Sequence, residues 1–132
     1  MAQKYTLEIT QVVNGSTPNE EQVWLKAKEA INIKGFALID RTFDEKDKVS
    51  NEFRHIFVFP EFELTKDQIV VVRTGTGTNG FRKFSDVDEK YLALYWGAKE
   101  CVWNDKGGDT ATLISFVPVN FVKVPAVQKK KA

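Results

Sequence analysis

The sequence predicts an all-β protein, either a sandwich or a barrel, on two observations. Short apolar runs recur along the chain and are rich in β-branched and aromatic residues, which suit a half-buried pleated surface. Turn-forming pairs such as Asn14-Gly15 and Pro18-Asn19 separate these runs. Several short strands with turn signals between them are typical of sandwiches and barrels.

The predicted strands follow from alternation and from their boundaries. Tyr5, Leu7 and Ile9 alternate with polar residues, as in a half-buried strand. Pro60 ends the run before it, because proline cannot donate a hydrogen bond to a strand ladder. The later predicted strands are 55–59, 69–73, 92–96, 110–117 and 119–124, and before them an apolar group in 31–38 is broken by Gly35. The charged and polar residues 41–54 indicate a long loop.

Residues 20–31 carry two periodicities. The apolar residues with helical spacing are Val23, Trp24, Ala27, Ala30 and Ile31. The same stretch also alternates as Val23, Leu25 and Ala27, which is a strand pattern. Because Glu, Gln, Lys and Ala are good helix formers, the residues alone favour the helix.

Length and charge limit the classes of protein that fit. The 132 residues suit one domain, which we place at 1–125, with a basic and disordered tail at 126–132. Lys and Arg number 19 against 18 for Asp and Glu, so the broad basic face of a non-specific nucleic-acid binder is not expected. No apolar stretch approaches the roughly 18 residues of a membrane span, so no membrane partner is predicted. The polar N-terminus indicates a cytoplasmic location for the chain as it stands, or an extracytoplasmic one if it is trimmed from a longer protein.

The glycine-rich stretch "TGTGTNG", residues 74–80, contains the spacing G-x-G-x-x-G at Gly75, Gly77 and Gly80. It follows an apolar strand, as a dinucleotide-binding loop does. Such a loop must open into a helix whose N-terminus faces the pyrophosphate, and residues 81–86 have no helical periodicity. We therefore predict a turn between strands and no cofactor.

Catalytic and metal-binding sets are incomplete in the sequence. The single histidine, His55, and the single cysteine, Cys101, do not make a nucleophile and base pair, so no enzyme activity is predicted and Cys101 is interpreted as an inert strand residue. The acids Asp86, Asp88 and Glu89, like those of the 104–109 turn, neither follow the EF-hand order nor reach the about six to eight oxygens that calcium needs. They are predicted to be solvated turn residues.

A small basic and aromatic group lies beside the glycine-rich stretch. Its members are Arg73, Arg82, Lys83 and Phe84. Guanidinium and ammonium groups can follow phosphates, and an aromatic ring can stack on a base. These four residues are the candidate binding residues, and DNA contact is the alternative to protein binding.

Four segments in order resemble the lamin tail domain, the immunoglobulin-like tail domain of nuclear lamins that also occurs in bacterial proteins. They are "VWLKAKEAINIKGFALID" (23–40), "HIFVFPEFELTKDQIVVV" (55–72), "VVRTGTGTNG" (71–80) and "YLALYWGAKECVWNDKGGDTATL" (91–113). The last segment is the most specific, and the resemblance covers about residues 5–117. Phe36 stands where the family usually has Trp, and 41–54 and 81–90 look like insertions.

The resemblance implies an immunoglobulin-like β-sandwich of about 8–9 short strands, with strands rather than a helix in 20–31. The positions that would define this fold are Gly35, Phe36, Pro60, Gly75, Gly77, Asn79, Trp96, Trp103, Asn104 and Asp109. It also implies a non-catalytic interaction module with a protein partner or a scaffold role, acting through edge strands and the two insertions. A DNA-contacting accessory role is the alternative, since lamin tails are chromatin-contacting modules.

Overall fold

Ten β-strands and one short 3-10 helix form the regular structure in a computed structural model, which describes residues 6–43, 49–85, 88–103 and 110–127. For residues 41–43 and 49–54 the description covers the backbone alone. The strands are β1 (Leu7–Val13), β2 (Gln22–Ala27), β3 (Ile31–Asn32), β4 (Phe36–Phe43), β5 (Val49–Val58), β6 (Glu63–Leu64), β7 (Ile69–Arg73), β8 (Gly80–Lys83), β9 (Lys90–Tyr95) and β10 (Thr110–Ser115). The 3-10 helix spans Pro18–Glu20 and precedes β2.

The strands form two main sheets and one two-stranded ladder. The five-stranded sheet has the order β1-β2-β7-β9-β8, and the three-stranded sheet has the order β10-β4-β5. Neighbouring strands are antiparallel except β7 and β9, which are parallel. β3 and β6 form the two-stranded ladder.

One apolar core lies between the two main sheets. Leu25 and Leu92 of the five-stranded sheet are fully buried in the same cluster as Leu38 and Phe57 of the three-stranded sheet. Burial of a side chain of this size stabilises a fold by about 1.5–3 kcal/mol. The predicted all-β, sandwich-like fold is therefore confirmed.

Residues 22–27 form a strand, so the helix that the residues alone favour is wrong and the strand that the resemblance implies is present. Val23 and Leu25 are buried while Trp24 and Lys26 are half-buried, which is the alternation of a strand. β2 pairs with β1 on one side and with β7 on the other. Two ladders and a buried face outweigh the modest helix propensity of the individual residues.

Two other predictions on secondary structure are corrected. Most of the predicted loop 41–54 belongs to β4 and β5, whose backbone pairing continues to Phe43 and Val49, while 44–48 lie outside the described residues. Residues 81–83, at the start of the segment 81–90, belong to the edge strand β8. Cys101 lies after β9 rather than in a strand. Polar residues can pair in β4, β5 and β8 because a ladder joins backbone N–H and C=O groups, and an antiparallel sheet can have one face in water.

The end of the chain also differs from its prediction. Residues 119–124, predicted as a strand, are described without strand pairing, and 126 and 127 are exposed. The rest of the predicted basic tail, 128–132, lies outside the described residues. Within the part of the chain that the structure describes, no helix has the length and apolar character to cross a membrane.

Candidate interaction surface beside the glycine loop

The glycine loop, residues 74–80, connects β7 to β8 and is hydrogen-bonded to the end of β9. The backbone N–H of Gly97 donates to the carbonyl of Gly75 at 3.0 Å, and that of Ala98 donates to Thr74 at 2.9 Å. The side-chain Oδ1 of Asn79 accepts a hydrogen bond from the backbone N–H of Tyr95 at 2.9 Å. The loop is thus fastened to the neighbouring strand at both ends.

Neighbouring side chains approach two glycines of this loop closely. A Cβ atom at Gly77 would collide with the ring of Tyr95, and one at Gly75 would collide with the side chain of Asn19. After Gly80 the chain continues into β8, so no helix follows the loop, as predicted. The glycines therefore allow neighbouring groups to approach the backbone, in the place where a dinucleotide loop would hold phosphate.

The solvent side of the five-stranded sheet carries three aromatic rings, which we call the aromatic face: Trp24, Phe84 and Tyr91. Alternation places Trp24 and Tyr91 opposite to the buried Leu25 and Leu92. The Phe84 ring lies 6.3 Å from the Trp24 ring in a stacked arrangement and 4.7 Å from the Tyr91 ring. All three residues are half-buried, so part of each ring remains accessible.

Hydrogen bonds hold two of these residues in position. The backbone N–H of Phe84 donates to the carbonyl of Glu89 at 3.1 Å and closes the turn between β8 and β9. The indole N–H of Trp24 donates to Gln22 Oε1 at 2.8 Å. The aromatic face is therefore arranged before any partner arrives, which lowers the entropy cost of binding.

The predicted binding residues do not all share this face. Arg73 pairs across from Tyr95, and Arg82 pairs across from Tyr91, so alternation places both on the side of the aromatic face. Lys83 follows Arg82 in β8 and faces the opposite side of the sheet. Arg73, Arg82 and Phe84 thus share one side of the sheet, with Arg73 four residues along β7 from Ile69, the partner of Tyr91, while Lys83 faces away.

Arg82 is engaged by the glycine loop. Its Nη2 donates to the carbonyl of Thr78 at 2.7 Å, and its Nη1 donates to the carbonyl of Phe81 at 3.2 Å. These bonds use N–H groups of both Nη atoms, so fewer donors of the guanidinium are left for a partner. Arg73 is half-buried at the end of β7.

A cleft of about 270 Å³ borders the aromatic face beside Phe84. Its lining includes two basic residues, Lys66 and Lys90, and two acidic residues, Asp67 and Glu89. Charges of both signs occur along the same edge. A uniformly positive potential of the kind that attracts a phosphate backbone is therefore not built here.

The aromatic residues that the resemblance marks as fold-defining meet in the core. Trp103 is buried, and its ring lies edge-to-face with Trp96 at 5.9 Å. The Trp96 ring in turn lies 5.6 Å from Phe57 of the opposite sheet. Asn104 and Asp109 lie outside the described residues.

The remaining marked positions lie at the start of β4 and the end of β5. Gly35 has φ +94°, a left-handed conformation that favours glycine. Phe36 packs against the core cluster. Pro60 is half-buried just after β5.

Two acids that are not among the candidate binding residues are buried. The Glu21 side chain is fully buried and accepts hydrogen bonds from the backbone N–H groups of Val102 at 2.8 Å and Trp103 at 3.1 Å. Asp40 is also buried, and its Oδ2 lies 3.2 Å from Nδ1 of His55. The burial of Glu21 could have been predicted from the sequence, because Glu21 lies two residues before Val23, and residues two apart in a strand face the same side.

The described residues contain no group of three or more His, Cys, Asp or Glu side chains placed to hold a metal ion. Asp88 and Glu89 are exposed, and Asp86, Asp105 and Asp109 lie outside the described residues. Cys101 is half-buried, with its Sγ 4.0 Å from the carbonyl of Gly15. His55 is on β5 and faces Asp40.

No protein-family model matches the chain, and no curated protein matches its sequence. The resemblance to the lamin tail domain therefore remains an expectation based on the residues that carry it.

Proposed function

We propose that this domain is a non-catalytic interaction module that binds a protein partner through the aromatic face. The observation that carries the proposal is the stack of Trp24, Phe84 and Tyr91 on the solvent side of the five-stranded sheet. Val71 and Ala93 share this side of the sheet by register with Trp24 and are buried, while the three rings above them stay half-buried. Trp, Tyr and Arg are the residues most enriched where binding energy is concentrated in protein interfaces.

Arg73 completes a surface of this kind, because it lies at the end of β7 on the same side as the three rings. A guanidinium beside accessible rings can hydrogen-bond to a partner's carbonyl or carboxylate oxygens while the rings exclude water. Phe84 and Arg73 lie outside the core cluster, as Trp24 and Tyr91 do, so truncating them tests the surface rather than the core.

Contact with DNA is the weaker alternative on this geometry. Arg82 is engaged by the Thr78 carbonyl, and Lys83 faces the other side of the sheet. The carboxylates of Asp67 and Glu89 border the same surface. A DNA backbone would meet these acids, and its binding depends on contiguous basic groups that release counterions.

The proposal includes the finer fold assignment, an immunoglobulin-like sandwich of the lamin tail kind. What supports it is that residues marked by the resemblance have structural roles. Gly77 makes room for Tyr95, Asn79 binds the backbone of the same residue, and Trp103 fills the core. A motif of this type sets a fold, and the partner is chosen by the surface residues around it.

The test is affinity capture with the 132-residue chain and with the double variant Phe84→Ala/Arg73→Ala, followed by mass spectrometry and measurement of Kd for each purified partner. The matched control is Val12→Ala, which truncates an exposed apolar side chain on β1. We expect the double variant to weaken binding at least about 10-fold and the control to leave it unchanged. Equal binding by all three proteins would contradict the proposal.

Titration of labelled duplex DNA at low and physiological salt addresses the alternative. Saturable binding that weakens with salt and is lost in Arg73→Ala would establish DNA contact, rather than protein binding, as the function of this surface. No binding at low salt would exclude DNA contact.

A further inference from the structure

Residues 116–127, which we call the apolar arm, follow β10 and leave large apolar side chains in solvent. Six of these side chains are 80–96% exposed: Val117, Val119, Phe121, Val122, Val124 and Val127. Lys123 is the one charged residue in the arm. Soluble domains rarely expose a contiguous apolar surface of this size unless it meets a partner.

The sequence of the arm is that of a β-strand. Between Pro118 and Pro125 the residues Val119 to Val124 are mostly β-branched or aromatic, which favours extended pairing. In a strand, Val119 and Phe121 would face one side while Val122 and Val124 faced the other. A strand with apolar residues on both sides is typically covered on both faces. The arm, by contrast, is described without backbone pairing to any strand.

A matching surface exists on the three-stranded sheet, where β5 is an edge strand among the described residues. Ile56 and Val58 of β5 are 50% and 56% exposed. An apolar hollow of about 260 Å³ lies at the end of β5 and is lined by Val58, Phe59 and Phe116 among others. The edge and the root of the arm are therefore adjacent parts of one apolar surface.

The arm is poorly suited to fold back on its own β5. The backbone N–H of Phe116 donates to the Gly35 carbonyl at 2.7 Å and extends the line of β10. Val117 precedes a proline, which restricts it to extended conformations, and Pro118 has a fixed φ. Residues 110–127 contain no glycine that would ease a reversal. Phe116 and Pro118 lie against the end of β5 in the apolar hollow, and residues 119–127 beyond them are described without strand pairing to their own sheet.

We propose that the arm of one copy of this chain adds as a strand to the β5 edge of a second copy, and that the second copy returns its arm in the same way. Strand addition satisfies the open backbone groups of the edge, and the apolar side chains of the arm cover Ile56 and Val58. A reciprocal exchange uses the same two surfaces on each copy, as a two-fold dimer requires.

The size of the exposed surface fits a stable dimer. Burying one such side chain removes on the order of 100 Å² of apolar surface. The surface area buried by two exchanged arms, together with that of the two β5 edges that receive them, exceeds the roughly 1,200 Å² of a small specific interface. The dimer does not use the aromatic face, so it is independent of the proposed function.

The first experiment is light scattering coupled to size-exclusion chromatography, with sedimentation equilibrium for Kd. The chain is compared with the arm variant Val119→Lys/Phe121→Lys, the edge variant Val58→Lys and the control Val12→Lys, which places the same charge on β1. We expect a dimer for the chain and the control, and at least about a 100-fold weaker Kd for the arm and edge variants. The changed side chains are solvent-exposed, and thermal unfolding followed by circular dichroism checks that each variant is folded.

The second experiment distinguishes exchange from folding back. Chains with Phe121→Cys and chains with Val58→Cys, both in a Cys101→Ser background, are mixed and oxidised. A disulfide between the two different chains, absent when Val12→Cys replaces Val58→Cys, supports the exchange. A monomer at all concentrations overturns the proposal, as does a dimer that persists in the arm variant. A disulfide that forms only within a chain carrying both Phe121→Cys and Val58→Cys overturns it as well.

Discussion

The buried carboxylate of Glu21 accepts a hydrogen bond from the backbone N–H of Trp103, with Oε2 and N separated by 3.1 Å. Its second oxygen, Oε1, accepts from the N–H of Val102 at 2.8 Å. These bonds fasten the segment after β9 to the start of β2, residues separated by about 80 positions in the sequence. The ring of Trp103 is thereby fixed at its entry into the core.

Replacing Glu21 with Gln should destabilise the fold by about 1–3 kcal/mol. The amide has one acceptor oxygen in place of two, and its NH₂ group would face a backbone donor that then stays buried without a partner. Urea unfolding followed by tryptophan fluorescence measures the loss. The control is Glu29→Gln at an exposed acid, with an expected change within about 0.5 kcal/mol. Equal stability of the two variants would show that the carboxylate is not needed.

Glu21 illustrates which features of the fold can be predicted from the sequence. The alternation Val23, Leu25 and Ala27 is visible in the sequence, and extending it backwards by two residues places Glu21 on the buried side. The helix formers in the same stretch obscure this pattern, because propensity is a local quantity. Pairing of β2 with β1 and β7 is a tertiary effect, and it decides the outcome.

Gly77→Ala should destabilise the fold by about 1–3 kcal/mol, because the added methyl group collides with the ring of Tyr95. The Tyr95→Ala background should remove most of this cost, and a double-mutant cycle from thermal or urea unfolding measures the coupling. The control is Gly97→Ala, where φ is +83° and a Cβ has open space around it. Its cost is backbone strain, which Tyr95→Ala should not relieve. Additive costs for Gly77 and Tyr95 would contradict the packing explanation.

The candidate surface could be predicted only in part. Arg73 and Phe84 were identified because they flank the glycine loop, and alternation along a known strand would have separated Lys83 from Arg82. Tyr91 meets Phe84 through the local pairing of the consecutive strands β8 and β9. Trp24 is distant in the sequence and meets Phe84 only because β2 and β9 are both paired with β7, an order of strands that no local sequence pattern predicts.

Removing the ring of His55 should destabilise the fold by about 1–3 kcal/mol, since a buried carboxylate of Asp40 then loses the group 3.2 Å from its Oδ2. The internal control is a double-mutant cycle. If the two side chains act as a pair, His55→Ala should cost little in an Asp40→Ala background. The measurement is urea unfolding of the chain, both single variants and the double variant. Equal cost of His55→Ala in both backgrounds would show that the two side chains contribute independently.

Glu20 offers a test of local electrostatics by pH titration. The backbone N–H of Ser16 and its hydroxyl donate to Oε2 of Glu20 at 3.0 and 3.1 Å, and these bonds lower the pKa of the carboxyl below its ordinary value. Because the folded pKa is lowered, the ionised side chain favours the folded state above the ordinary pKa, and this contribution is lost as the pH falls through the folded pKa. Ser16→Ala removes the hydroxyl and keeps the backbone donor, so the pKa of Glu20 should rise but stay below its ordinary value. A titration of the side-chain carboxyl carbon by NMR measures the change, with Ser115→Ala on β10 as the control. An unchanged pKa in Ser16→Ala would mean that the backbone N–H alone accounts for the effect.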